Sequence, residues 1–216
     1  MDAEREKRRA AGAAADLVRP GMRVGLGTGS TVAHLLSELA RRHVDATFVA
    51  TSPRTAHEAR ALGIDVTVDF PLDRLDLAID GADQVGPDGW LIKGAGGALT
   101  REKIVAAGAD RFVVIVDSTK MVESLSAPVP LELMSFGVAA TLRHLGATVL
   151  RDGPVSPDGG LLADLFTSVA DPDALGARLA RVPGVIAHGL FAPSLVSEVI
   201  VGRGDAIDRV RYGDTP

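Results

Sequence analysis

The stretch Arg111-Phe112-Val113-Val114-Ile115-Val116 constrains the fold more than any other part of the chain. An unbroken apolar run of this length reads as a strand buried on both faces, the habit of a parallel sheet. Parallel strands need crossover connections, and the chain before the run supplies them as helical stretches between short strands. A helix is expected over Asp2–Val18, with Ala10, Ala11, Ala14, Leu17 and Val18 on its apolar side and Pro20-Gly21 ending it. Met22–Gly25 then reads as a strand, Val32–Leu39 as a helix, Thr47–Ala50 as a strand and Arg54–Leu62 as a helix. Asp65–Val68 and Leu77–Ile79 are further strands. Ala98–Ala107 is a helix of strong formers with apolar positions at Leu99, Ile104 and Val105.

Pro128 and Pro130 mark a change of pattern. From there the order is strand (Val129–Leu133), helix (Phe136–Leu145), two strands (Ala147–Leu150, Leu161–Phe166), helix (Asp173–Arg181) and strand (Val185–Leu190). That is the split β-α-β, β-α-β order of a ferredoxin-like unit. Ser197–Val201 reads as a last strand returning to the first sheet. The expectation is an α/β protein. Residues 1–127 with 192–216 form a Rossmann-like parallel-sheet domain, and an inserted, smaller ferredoxin-like α+β domain spans 128–191. A chain of 216 residues can bury cores for both.

In parallel sheets ligands bind at the carboxyl ends of strands, and the chemistry-bearing residues fall there. After the first strand, Gly27-Thr28-Gly29-Ser30-Thr31 runs into a helix, where free backbone N–H groups and the helix dipole make an anion site. A dinucleotide does not fit: the Gly-x-Gly-x-x-Gly count ends on Ser30 or Val32, and Thr51-Ser52-Pro53 follows the second strand where an acidic residue would be needed. There is no Gly-Lys pair for a nucleotide P-loop. A single phosphate on a small molecule fits better. A second strand end carries Asp80-Gly81-Ala82-Asp83. Lys93 then opens the glycine turn Gly94-Ala95-Gly96-Gly97, Glu102 lies in the first turns of the next helix, and Asp117-Ser118-Thr119-Lys120 closes the buried run. Two carboxylates, a lysine, a glycine turn and a helix-borne glutamate make a plausible acid–base site, although each alone is a common turn, cap or solvated pair. Only four of the 23 basic residues are lysine: Lys7, Lys93, Lys103 and Lys120. Lysines kept inside loops of an arginine-preferring chain are candidates for chemistry that needs a compact ammonium. Lys103 reads as an exposed helix residue, and His188, flanked by apolar residues, as structural.

Other classes are disfavoured. The net charge is −5, spread along the chain without a basic stripe, so nucleic acid is not an expected partner. No apolar run is long enough to span a bilayer, and the charged N-terminus lacks a signal core, so no membrane partner and a cytoplasmic address are expected. The absence of cysteine removes disulfides, thiolate catalysis and cysteine-bound metals. Histidines and carboxylates do not cluster at ligand spacing. Asp80 and Asp83 could hold a divalent ion but lack supporting ligands, so no metal and no cofactor are expected. Arg203-Gly204-Asp205 is a coincidental tripeptide.

Asp80-Gly81-Ala82-Asp83 followed by Ile92-Lys93-Gly94-Ala95-Gly96-Gly97-Ala98-Leu99-Thr100-Arg101-Glu102-Lys103 resembles the core of the type A ribose-5-phosphate isomerases. The resemblance extends to Gly25–Thr31, Asp117–Lys120, Pro183-Gly184-Val185 and Gly189-Leu190-Phe191, nearly the whole chain. Gln84 stands where the family usually has Glu, and Ala95 fills a variable place. The resemblance implies interconversion of ribose 5-phosphate and ribulose 5-phosphate through an enediolate. It gives Glu102 as the base, Lys93 as the cation on the developing oxyanion, and Asp80 and Asp83 as carriers of hydroxyl protons. It implies phosphate binding by Thr28, Gly29, Ser30 and Thr31, with Lys7 as a further contact. Gly81, Ala82, Gly94, Ala95, Gly96 and Lys120 complete the substrate site. A homodimer or homotetramer is implied. Two rival readings are a sugar-phosphate sensor, which would need a helix-turn-helix that the N-terminal stretch does not offer, and a different enzyme of related architecture, such as an amino-sugar phosphate deaminase or an acyl-CoA transferase. The long Lys93–Lys103 motif speaks against both.

Overall fold

The computed structural model describes residues 2–70 and 73–212. Helix α1 (Asp2–Ala15) leads into strand β1 (Arg23–Leu26), helix α2 (Ser30–Arg42), strand β2 (Thr47–Ala50), helix α3 (Pro53–Ala61) and strand β3 (Val66–Thr67). Strand β4 (Leu77–Asp80), the short strands β5 (Gln84–Val85) and β6 (Leu91–Ile92), helix α4 (Leu99–Ala107) and strand β7 (Phe112–Asp117) follow. A 3-10 turn, Ser118–Lys120, caps β7. The next unit is β8 (Val129–Leu133), α5 (Val138–Leu145), β9 (Thr148–Leu150), β10 (Leu161–Leu165), α6 (Pro172–Leu179) and β11 (Val185–His188). Strands β12 (Leu190–Phe191), β13 (Glu198–Arg203) and β14 (Ala206–Val210) complete the chain.

The main sheet has seven strands in the order β14-β13-β7-β4-β1-β2-β3, parallel except for β14. Strand β7 sits near its middle, and its apolar run is divided between two cores. Val113 and Ile115 join the side chains of α1, α2 and α3, whereas Phe112, Val114 and Val116 meet Val105 and Ala106 of α4 on the other face. A strand covered twice cannot alternate apolar with polar residues. Neighbouring strands β1, β4 and β7 end together, delivering Gly27, Asp80 and Asp117 to one edge.

The four-stranded sheet β11-β8-β10-β9 is antiparallel throughout and carries α5 and α6, the ferredoxin-like arrangement. Leu131, Leu133, Ala163 and Leu165 fill its core with Leu145, Leu175 and Leu179.

The structure departs from the sequence expectations in four places. The strand expected over Val185–Leu190 is broken at Gly189, and β12 leaves to build a small sheet, β12-β6-β5. A side chain at Gly189 would collide with the Lys93 carbonyl, so the crossing of the two backbones is possible only there. The last strand continues through a turn at Gly204 (φ 56°) into β14. Ile104, expected on the apolar stripe of α4, is 52% exposed, while Glu102 takes the buried side. Lys103 is not exposed: its side chain is drawn under α4 against β11 and β12.

Glu6 ties α1 to the ligand edge of the sheet. It is 6% exposed, and one carboxylate oxygen accepts from the Ser118 N–H (2.9 Å) and hydroxyl (2.7 Å), the other from the Gly204 N–H (2.7 Å). These donors hold the Glu6 carboxyl down to about 2, against an ordinary 4.5. A carboxylate whose pKa is depressed on folding stabilises fully above 4.5 and loses that contribution as the pH falls toward 2. Glu6→Gln replaces an acceptor with a donor facing other donors. It should lower the unfolding free energy at neutral pH by about 1–3 kcal/mol. Urea melts should find the gap between wild type and variant narrowing at pH values below 4.5.

Candidate active site

A cavity of about 120 Å³ opens where the loops after β1, β4 and β7 meet the glycine turn between β6 and α4. Thr28, Gly29, Ser30, Thr31, Gly81, Ala82, Asp83, Lys93, Gly94, Ala95, Gly96, Glu102 and Lys120, all singled out from the sequence, line it together with Lys7 and Val32. Asp80 is the exception among the residues named from the sequence: it lies behind Lys93, only 3% exposed.

Lys93 is the centre of the arrangement. Its ammonium is almost wholly buried, donates to Asp80 Oδ2 (2.7 Å) and to the Gly81 carbonyl (2.5 Å), and lies 3.2 Å from Glu102 Oε2. Burial would release its proton, but the two carboxylates reverse this and hold it charged. Asp80 is saturated by donors, because its Oδ1 accepts the N–H groups of Gly81 (2.7 Å) and Thr28 (3.1 Å). This grip needs Gly27, since a Cβ there would run into the Asp80 carboxylate.

Glu102 is different. It is 3% exposed, and its Oε2, although near Lys93, accepts no hydrogen bond among the described residues. Burial first and the negative charge of Asp80 second raise its pKa well above the ordinary 4.5, against the opposing pull of Lys93. A buried carboxylate with an unused oxygen and a raised pKa is equipped to take and return a proton near neutral pH.

The opposite wall is the start of α2, whose backbone N–H groups suit an anion. Gly29 is the N-cap of α2 at φ 140°, a conformation that disfavours a side chain, and Ser30, Thr31 and Val32 follow with the N–H groups of the first helical turn. The Thr28 hydroxyl is held at 2.8–3.1 Å from those of Thr51, Ser52 and Thr55. Lys120 reaches the cavity without a hydrogen bond or ion pair among the described residues, whereas Lys7 pairs with Glu4 at 2.7 Å. Asp83 lines the wall between and steadies the glycine turn by accepting the Ala95 N–H at 2.9 Å.

Several supporting residues left no sequence signal. Arg151, from the end of β9, donates to the carbonyls of Gly94 (2.9 Å) and Ala95 (3.3 Å) while pairing with both oxygens of Asp164 (2.8 and 2.6 Å). Buried Glu132 accepts from Thr100 on α4 (2.5 Å) and from Ser156. Gln84 faces away from the cavity: its amide donates to the Ser126 carbonyl (2.9 Å) and accepts the Ser126 N–H (2.8 Å), a pairing a carboxylate could not complete. No group of three or more His, Asp or Glu with metal-holding geometry occurs among the described residues, and no helix among them is long and apolar enough to cross a membrane.

The family model for ribose 5-phosphate isomerase A (phosphoriboisomerase A) matches residues 47–206, and a model for the DeoR C terminal sensor domain matches residues 2–68. The chain is 46% identical to ribose-5-phosphate isomerase A of Roseiflexus castenholzii over 94% of both chains. It is 43% identical to that of Methanosarcina acetivorans over 95% of this chain and 93% of that one. Among solved structures, ribose 5 phosphate isomerase A from Neisseria gonorrhoeae superimposes with a TM-score of 0.90 at 29% identity, covering 96% of each chain. A D-ribose-5-phosphate isomerase in complex with phospho-erythronic acid gives 0.90 at 35% identity, covering 98% of this chain and all of that one. With the family model spanning most of its length and relatives above 40% identity along nearly all of it, the chain belongs to the ribose 5-phosphate isomerase A family.

Proposed function

We propose that this protein interconverts ribose 5-phosphate and ribulose 5-phosphate by moving one proton between C2 and C1 through an enediolate. The observation that carries the reading is Glu102: a buried carboxylate at the cavity wall whose Oε2 stands 3.2 Å from the Lys93 ammonium yet accepts no hydrogen bond among the described residues. The phosphate sits in the cradle formed by Thr28, Gly29, Ser30 and Thr31, with Lys7 and Lys120 adding positive charge at the mouth. That fixes the sugar so that its first two carbons reach Glu102. Glu102 takes the C2 proton and returns it to C1 from the same face. Lys93 meets the negative charge that grows on the sugar oxygen, the point at which stabilisation speeds the reaction most. Asp80, with every oxygen engaged, orients Lys93, while Asp83, which lines the cavity, carries the hydroxyl proton from O2 to O1 as the carbon-bound proton moves, and serves ring opening likewise. No step calls for a metal or a cofactor.

In this reading residues 128–191 are a smaller domain that steadies the glycine turn through Arg151, set on the catalytic domain of residues 1–127 and 192–216. The proposal extends to a cytoplasmic address and to a homodimer or homotetramer, the latter supported by the large exposed side chains Met134, Phe136, Val149 and Phe166 on that smaller domain. The sensor-domain match covers the phosphate cradle but stops short of Lys93 and Glu102, so it supports phosphate binding and says nothing against catalysis.

Glu102→Gln keeps the shape and removes the base. Turnover of ribose 5-phosphate should fall by roughly a hundredfold to ten-thousandfold, with sugar-phosphate binding retained. Wild type working in heavy water should place deuterium at C1 of ribulose 5-phosphate; a hydride shift would leave the product unlabelled, and an unlabelled product with Glu102→Gln inactive would leave Glu102 essential but the enediolate route unproven. Lys93→Arg keeps the charge in a space closed by Asp80, Gly81 and Phe191, which a guanidinium does not fit. It should lose most of its kcat in the same coupled assay, and full activity would show that charge alone suffices.

A further inference from the structure

Lys103 follows the proposed base directly in sequence, yet it points away from the cavity and does not line it. Its ammonium lies in the seam between α4 and the β11–β12 break, donating to the carbonyls of His188 (2.6 Å) and Leu190 (3.0 Å). It also stands 4.8 Å from the centre of the buried Phe191 ring, and the Lys93 ammonium stands 5.4 Å from the same ring. No carboxylate lies within ion-pair distance of Lys103 among the described residues. A buried ammonium with no counter-ion is costly, and here, among the described residues, it is compensated by two carbonyl dipoles, the His188 Nδ1 at 3.5 Å and an aromatic face. Burial alone lowers its pKa to about 8, so it still carries its proton at neutral pH.

The two carbonyls it grips flank Gly189, and Gly189 is where the backbone of Lys93 is anchored. The Lys93 N–H donates to the Gly189 carbonyl (2.8 Å), and the Gly189 N–H donates to Pro130 (2.7 Å). Strand β12 then pairs with β6, Leu190 opposite Ile92 and Phe191 opposite Leu91. Helix α4 carries Glu102, and β6 leads into Lys93, so two separately built parts of the fold must be held to within fractions of an ångström. Resting on the isomerase reading above, we propose that Lys103 is a positioning residue that clamps α4 to the 188–190 backbone and thereby sets the Glu102 carboxylate against the Lys93 ammonium.

The test is Lys103→Ala, which leaves a strong helix former on α4, compared with wild type and with the same variant supplied with ethylammonium to refill the vacated ammonium site. A misplacement of about an ångström in a reacting pair costs up to roughly a hundredfold. The variant should therefore lose about ten- to a hundredfold in kcat while KM for ribose 5-phosphate stays within about twofold, because the phosphate cradle is untouched. Its affinity for inorganic phosphate, measured calorimetrically, should stay close to that of wild type. Ethylammonium should restore part of the lost kcat, and uncharged propanol should not. A variant with wild-type kcat overturns the proposal, as does a loss confined to KM or a loss that ethylammonium leaves unrepaired. If Lys103→Ala does not fold, Lys103→Gln, which keeps a donor for one carbonyl, must show an intermediate loss of kcat for the proposal to stand. Wild type inactive on ribose 5-phosphate would instead overturn the isomerase reading.

Discussion

A lysine ammonium buried between two carboxylates is the interaction around which the rest of the site is arranged. Removing such a charge from water is affordable only when each of its neighbours is fixed. Lys93 is held by Asp80 and the Gly81 carbonyl on one side, with Glu102 on the other. Asp80 in turn is held by two backbone N–H groups, and one of them, from Thr28, belongs to the phosphate cradle. The glycines follow from this crowding. Gly27 lets the chain approach Asp80, and Gly189 lets β12 pass the Lys93 carbonyl. Three ionisable groups share one dry cluster with only one cation among them, so burial and the charge of Asp80 favour the protonated form of Glu102, whose Oε2 accepts no hydrogen bond among the described residues.

The phosphate end obeys a different logic. In the proposed reaction its ligand is a dianion that arrives and leaves, so permanent burial of a counter-charge would be wasteful. Backbone N–H groups at the start of α2 provide a neutral, preorganised anion site, and the lysines stand at the rim where water still reaches them. Binding and chemistry are thereby separated. The cradle depends on α2 and on the Thr28 hydroxyl network, while the reacting pair depends on how α4 meets β6.

Much of this was legible in the sequence, and for identifiable reasons. The apolar run ending at Val116 announced a doubly covered strand, and the residues at strand ends collected at one edge because a parallel sheet leaves them no other place. Lys93 stood out because the chain otherwise prefers arginine. What stayed hidden depended on partners distant in sequence. Nothing around Arg151 signals that it caps the glycine turn 57 residues earlier. Lys103 looked like half of a solvated pair, since local pattern cannot reveal that two carbonyls beyond residue 187 curl beneath the helix. The break at Gly189 was invisible for the same reason: an apolar run reads as one strand until a second backbone is known to cross it.

The most direct test of the account is the titration of the Glu102 carboxyl in the free protein, followed by carbon-13 NMR of glutamate-labelled material and assigned by its absence in Glu102→Gln. Burial and the neighbouring charge of Asp80 both favour the protonated form, so Glu102 should keep its proton far above 4.5 and release it only as the pH rises toward about 8. A carboxyl poised there is matched to taking and returning a proton under working conditions. A Glu102 signal that titrates at or below 4.5 would mean that the pull of Lys93 outweighs burial and Asp80, and the poised buried base at the centre of this account would not exist.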